Sequence, residues 1–314
     1  MVLDPTTKVL VTGASGLVGA AVCDYLREYT TVIPCSRRPV DSGWVFYDAL
    51  RPVNFDFSVD VIVHAASPAS PDLFVAHPTE TLMANVYGTQ QLLEYAKRCC
   101  VKKFVYISSS EVYGRVSGRV GGFVETDFGG TDFLSVRSSY AIGKMAAEAV
   151  CIAYVSQFGL DVCIARLAHV YGPTCSKNDK RVSSAFPWLA ARGKNLVLKS
   201  SGSQVRNYTY SADCARAIRT IIEQGSRGEA YNVASRCGKC SIREMAEIVA
   251  AVGGVELLFE QASDEEVCSF NPMADSCLDP SKLENLGWSG TTSPQKGFSD
   301  TVIEIRKRIM ENCE

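Results

Sequence analysis

Along the first half of the chain, short β-branched apolar runs alternate with longer segments of helical period. Lys8–Thr12, Thr31–Cys35, Val61–His64, Phe104–Ser108 and Val162–Arg166 read as strands, and Leu17–Glu28, Thr79–Arg98 and Tyr140–Gln157 as helices. Strands that alternate with helices build a parallel sheet through right-handed crossovers, so the expected fold is α/β with a doubly wound parallel sheet. Between Arg37 and Asp60 the chain carries Pro39, Gly43 and Pro52 in too little length for another strand and helix. This stretch is expected to be loop around one short strand at Trp44–Tyr47.

Beyond Gly172-Pro173 the pattern changes to Gly-, Ser- and Lys-rich connections between short elements. Helices are predicted near Ser183–Arg192, Ser211–Glu223, Ser241–Val252 and Pro294–Met310, with a strand near Leu196–Leu198. The implied organisation is a sheet domain over 1–172 to which 203–235 returns, and a smaller lobe from 173–202 and 236–314. No internal repeat or low-complexity segment interrupts it.

Composition narrows the partners. With 46% hydrophobic and 21% charged residues in 314, the chain can bury an ordinary core, and 32 Lys+Arg against 34 Asp+Glu leave a net charge of −2. No global field draws it to nucleic acid or an anionic membrane, so an anionic ligand must be held locally. The N-terminus lacks a basic, apolar leader pattern, and no run approaches the ~20 apolar residues of a membrane span. Thirteen cysteines, an odd number scattered among apolar neighbours such as Cys23, Cys151, Cys163 and Cys214, suit a reducing cytoplasm. Cys237-Gly-Lys-Cys240 has redox or half-zinc spacing, but without a second such pair or clustered histidines it reads as a turn with two free thiols, and no metal site is expected.

Three motifs carry chemistry. Gly13-Ala-Ser15-Gly16-Leu17-Val18-Gly19 lies between the first strand and the first helix, where glycines permit a tight turn and close approach of backbone N–H groups to a pyrophosphate. Tyr140 and Lys144 stand four residues apart on one helical face, where an ammonium would lower the phenol's pKa toward a working proton acceptor. Ser108-Ser109-Ser110-Glu111 closes the Phe104–Ser108 strand, at the sheet edge where ligands bind.

Together these motifs resemble the extended short-chain dehydrogenase/reductase family of nucleotide-sugar enzymes, and further matches follow in order. They are His64-Ala65-Ala66, Asn85-Val-Tyr-Gly88-Thr89, Arg166-Leu-Ala-His169-Val-Tyr171-Gly172-Pro173, Arg206-Asn-Tyr-Thr-Tyr210-Ser-Ala-Asp213 and Tyr231-Asn232-Val233-Ala234. The resemblance implies a Rossmann domain binding NAD through the glycine turn, Ser36, Arg37, Asp48, Ala49, Ala65, Ala66 and Ser67. It also implies a catalytic set of Ser109, Ser110, Glu111, Tyr140 and Lys144, with Tyr140 and Lys144 touching the cofactor as well. A nucleotide-diphosphate sugar would be the substrate, with Arg206 on its diphosphate. Transient oxidation at C4 would make the neighbouring carbons reactive.

Within that family, Ser110-Glu111 resembles the UDP-glucuronate decarboxylases, because dehydratases generally place Asp-Glu there and galactose-type epimerases usually lack the glutamate. Ser67-Pro-Ala-Ser-Pro71, Val136-Arg137-Ser-Ser-Tyr140 and Asn178-Asp-Lys-Arg181 point the same way, with Arg137 and Arg181 as candidates for substrate anions. Three positions depart from the pattern. Ala141-Ile142-Gly143 replaces Asp-Glu-Gly after the tyrosine, His169 replaces an asparagine and brings a pH-dependent charge, and Arg37 follows the second strand where an acidic residue would bind the NAD ribose. An arginine there can accommodate a 2′-phosphate, so NADP remains open, as do 4-epimerisation, net reduction of a 4-keto sugar, and a non-catalytic dinucleotide sensor. The resemblance also implies a homodimer through the Thr79–Arg98 and Tyr140–Gln157 helices, whose apolar faces include Leu92, Leu93, Ala147 and Cys151.

Overall fold

The computed structural model of the chain describes residues 1–114, 121–263 and 276–311. At its centre is a seven-stranded sheet in the order β10-β6-β5-β4-β1-β2-β3. The strands are β1 (Lys8–Thr12), β2 (Thr31–Ser36), β3 (Val45–Phe46), β4 (Val61–His64), β5 (Lys103–Ser109), β6 (Val162–Leu167) and β10 (Ala230–Val233). Every neighbouring pair is parallel. The inner strands are almost continuously apolar because both faces are covered. Val9, Val11, Val61, Val63, Val105 and Ile107 face one core, and Leu10, Ile62, Phe104 and Tyr106 the other. Each such side chain removed from water contributes roughly 2 kcal/mol.

Helices α1 (Leu17–Leu26) and α6 (Ser211–Gln224) cover the first face. The second is covered by α3 (Pro78–Arg98) and α4 (Ser139–Phe158), which pack closely on each other. A short helix, α2 (Pro71–Ala76), precedes α3 and was not foreseen. Leu92, Leu93, Ala147 and Cys151, expected on a dimer face, are completely buried in the second core of this single chain. Their apolar character is explained by sheet packing, not by a partner.

The smaller lobe contains α5 (Val182–Ala191), α7 (Ile242–Gly253) and the helix Pro294–Glu311 around a third core with Tyr171, Tyr208 and Phe298. A capping box between Ser241 and Glu244 starts α7, and Gly254 in the left-handed region ends it. A small sheet of β11 (Lys239–Ser241), β9 (Val205–Tyr210) and β7 (His169–Tyr171) joins this lobe to the rest, and β12 (Leu257–Phe259) pairs with β8 (Leu196–Leu198) within it. Thus α6 and β10 return to the main sheet while β9 belongs to the small one. Among the described residues no disulfide joins any cysteines, and no helix is long and apolar enough to cross a membrane.

Candidate active site

The chain leaves β1 toward β2 on one side and later toward β4 on the other, so the connections diverge beside β1 and open a crevice at the C-terminal ends of the strands. Here Gly13 turns with φ +70°, and a Cβ on it would lie 2.8 Å from the backbone of Ala65 and Ala66. A Cβ on Gly19 would lie 2.2 Å from the Gly13 carbonyl oxygen. Only bare backbone lets turn, helix and the β4 loop approach this closely. Gly16 occupies the N-cap position of α1 and brings no capping side chain, leaving the helix end to backbone N–H groups. This cradle fits a pyrophosphate.

Ser36 ends β2, buried, its hydroxyl accepting from the Arg38 amide, whereas Arg37 is exposed. Asp48 caps its own turn through the Leu50 amide, and Ala49 packs under Gly88 of α3. These four, with Gly13, Ser15, Gly16, Leu17, Gly19 and Ala66, stand outside the cavity in which the other candidates meet. That cavity, about 700 Å³, gathers Val18, Ala65, Ser67, Ser109, Ser110, Glu111, Arg137, Tyr140, Lys144, His169, Arg181 and Arg206. Residues spread over almost 190 positions thus meet in one space.

Tyr140 and Lys144 share the first turns of α4, but their charge balance differs from the sequence-based expectation. Lys144 is buried, its Nζ donating to the Ile107 carbonyl at 2.7 Å and standing 5.9 Å from the Tyr140 ring centroid. Burial pushes this ammonium down to about 7, against the pull of Glu148. Burial likewise pushes the Tyr140 phenol up to about 12, reinforced by the Glu111 charge and opposed by its hydrogen bond to Ser109 and by Arg181 and Arg137. Desolvation therefore dominates: the phenol is raised, not lowered.

A stability prediction follows for Lys144. Between the folded value near 7 and the unfolded value near 10.5 the unfolded chain binds more protons, so this group's contribution to stability rises with pH across that window. Lys144→Met should accordingly raise the melting temperature, relative to the native protein, more at about pH 6.5 than at about pH 9. A difference independent of pH would contradict the burial of this charge.

Sequence reasoning missed the groups that hold this pair. Glu148 accepts from Ser108 Oγ at 2.5 Å and from Arg166 Nη2 at 2.7 Å, while Arg166 also reaches the Tyr113 hydroxyl at 3.1 Å. Its signal was available as the next helical turn after Lys144. Phe74 of α2 stacks on the Tyr140 ring, with centroids 4.3 Å apart and planes 8° apart. Lys180, Lys199 and Gln204 also line the cavity.

The candidate anion contacts are unequal. Arg137 grips Glu111 through two bonds of 3.0 Å, and Arg181 grips Asp179, with Nη2 to Oδ2 at 2.6 Å. Arg206 is buried, donating to its own Val205 carbonyl. His169 Nε2 meets Ser276 Oγ at 3.0 Å, and burial beside Arg206 and Arg181 pushes the imidazole down to about 3. It is neutral throughout the physiological range, so the expected pH-dependent charge at this position does not arise.

The family model described as "NAD dependent epimerase/dehydratase family" matches residues 9–234, which include the glycine turn, the serine–tyrosine–lysine set and Arg206. The chain belongs to this family. It is an NAD-dependent epimerase/dehydratase-family enzyme with the family's Rossmann fold. UDP-glucuronic acid decarboxylase 6 of Arabidopsis thaliana is 30% identical, covering 96% of this chain and 90% of that protein. UDP-glucuronic acid decarboxylase 1 of Xenopus tropicalis is 29% identical over 96% of this chain and 73% of that protein. The structure of UDP-glucuronic acid 4-epimerase from Bacillus cereus, with UDP-glucuronic acid and NAD, superposes with a TM-score of 0.81 at 25% identity, covering 96% of this chain and all of that one.

Proposed function

We propose that the protein decarboxylates a UDP-glucuronate-type nucleotide sugar with a tightly held NAD. The observation that carries this reading is the Glu111–Arg137 pair, two bonds of 3.0 Å inside the cavity that holds Tyr140. A serine at 110 cannot serve as the acid that a departing hydroxyl would need, which disfavours dehydration. A guanidinium with planar, two-point geometry is suited to a sugar carboxylate. The likeness to the two decarboxylases supports the same choice.

In this reading the glycine turn holds the pyrophosphate at α1, Arg206 faces the substrate diphosphate, and Arg137 exchanges Glu111 for the sugar carboxylate. A nicotinamide bound here would supply a reversible hydride acceptor for C4, and its positive ring would favour the phenolate of Tyr140. Tyr140 accepts the C4 hydroxyl proton while Ser109 bonds the same oxygen. The resulting β-keto acid breaks its C5–C6 bond, releasing carbon dioxide and leaving the electron pair in a C4–C5 enolate. Tyr140 and Ser109 hold that enolate oxygen, and Glu111, released from Arg137, helps to relay the proton back to C5.

The test is to identify the dinucleotide freed by denaturation, then to incubate the protein with UDP-glucuronate and no added cofactor. The expected result is bound NAD and one carbon dioxide per UDP-pentose formed. Arg137→Met should lower kcat/KM for UDP-glucuronate by roughly thirtyfold, about 2 kcal/mol for one charged contact. Arg37, exposed where an acidic residue would bind an NAD ribose, favours a second reading, in which NADP exchanges and a 4-keto sugar is reduced or epimerised. Bound NADP with no carbon dioxide would select it.

A further inference from the structure

We infer that Phe74 is a positioning residue for Tyr140: the short helix α2 serves as a plate that fixes the plane of the reacting phenol and keeps water from one of its faces. The inference rests on the assignment of Tyr140 as the proton-transferring group, but on no particular sugar.

Two contacts and the burial of Phe74 build the plate. The two rings are nearly parallel at a centroid distance of 4.3 Å. Phe74 is only 2% exposed although it stands on a six-residue helix whose neighbouring side chains Leu73 and Val75 are exposed. In addition, Ser139 Oγ donates to the Phe74 carbonyl at 3.1 Å, so the residue immediately before Tyr140 ties the backbone of α2 to the start of α4. Side chain and backbone of one residue thus hold both sides of the same joint. Six residues cannot sustain a helix by themselves, and this one is kept by what it packs against.

The stack has a chemical consequence. Tyr140 turns about two side-chain torsions, and a ring against one face restricts both, so its hydroxyl points toward the side where Ser109 lies. Charged and titratable groups act on the phenol from several elements, Glu111 after β5, Arg137 before α4, Arg181 before α5, Tyr106 on β5 and Lys144 on α4 itself, and Asp72 of α2 lines the same cavity. Phe74 adds no charge. It sets how much water these charges must compete with, which makes it a control on proton transfer without contact to the reacting atoms.

The experiment replaces Phe74 with Leu, which keeps bulk but removes the ring plane, and with Tyr, which restores the plane. Separately, Ser139→Ala cuts the backbone tie while leaving both rings intact. The Tyr140 phenol is followed by nuclear magnetic resonance of ring-labelled tyrosine, its signal identified by its loss in Tyr140→Phe, and kcat and KM are measured across pH on whichever nucleotide sugar the native protein turns over. In Phe74→Leu the phenol is expected to ionise at lower pH than in the native protein, with kcat down about three- to tenfold and KM changed less than about twofold. Phe74→Tyr should recover the native titration and rate, and Ser139→Ala should fall between. An unchanged Tyr140 titration and an unchanged kcat in Phe74→Leu would overturn the inference, as would a loss that Phe74→Tyr fails to restore. Because the titration needs no substrate, it judges the stack even if Tyr140→Phe proves fully active, an outcome that would reject the catalytic reading instead.

Discussion

Tyr140→Phe is expected to lower kcat by about a thousandfold while the dinucleotide stays bound, because a positioned acid–base group contributes on the order of 10²–10⁴ in rate. The substitution removes one oxygen and nothing else. The remaining ring still stacks on Phe74 at the entrance of α4, and no core contact is lost, so the melting temperature should hold. Nor does the glycine turn that would carry the pyrophosphate depend on this hydroxyl. Turnover of UDP-glucuronate, or of any sugar accepted, is the direct measurement, with mass spectrometry of released dinucleotide as its companion. Retention of more than about a tenth of the native kcat would show that proton transfer runs through another group. Loss of both rate and bound dinucleotide would assign Tyr140 a binding role first.

The phenol also illustrates where sequence reading stops. A tyrosine and a lysine four residues apart announce a shared helical face, and Tyr140 and Lys144 do line one cavity. Their protonation balance cannot be read from spacing, because desolvation is set by residues such as Phe74 and Ile107 that lie 66 and 37 positions away. The same limit explains the Glu111–Arg137 pair, which closes across 26 residues, and the neutral His169, whose burial depends on β9 and Ser276. Leu92 and Ala147 make the point in packing terms: an apolar helical stripe is identical in sequence whether a sheet or a partner covers it.

What was legible in the fold was whatever repeats locally. The main strands and helices of the sheet domain follow from apolar period and from the turns between them, and even the loop between Arg37 and Asp60 with its short strand was visible. Of the three-residue strands, β8 was read at Leu196–Leu198, whereas β7, β11 and β12 are too short to leave a period, and their pairing joins segments far apart in the chain. Helix α2 had a readable start, since Ser70-Pro71 is a helix-opening pair with proline in the first turn. It went unread because four of the five residues before it, Ser67 to Ser70, look like a loop and the helix is shorter than two turns.

The second large effect concerns that best-read element, the glycine turn. Gly19→Ala is expected to weaken dinucleotide binding about a hundredfold, close to 3 kcal/mol, and to lower the melting temperature by about 3 °C or more. A methyl at this position would stand 2.2 Å from the Gly13 carbonyl oxygen and 2.6 Å from its carbon. Backbone atoms cannot rotate aside as a side chain can, so α1 must move off the turn and carry its N-terminal amides away from the pyrophosphate. Gly13 cannot follow, since it is itself pressed against Ala65 and Ala66 at 2.8 Å and held at φ +70°. Gly130→Ala is the control: nothing lies within 4 Å of its would-be methyl and its φ is not in the left-handed region, so binding and melting should match the native protein. Titration calorimetry with NAD and with NADP on both variants, after removal of any bound dinucleotide, measures the effect. Equal affinities for the native and Gly19→Ala proteins would place the dinucleotide away from this turn, and with it the hydride acceptor away from Tyr140.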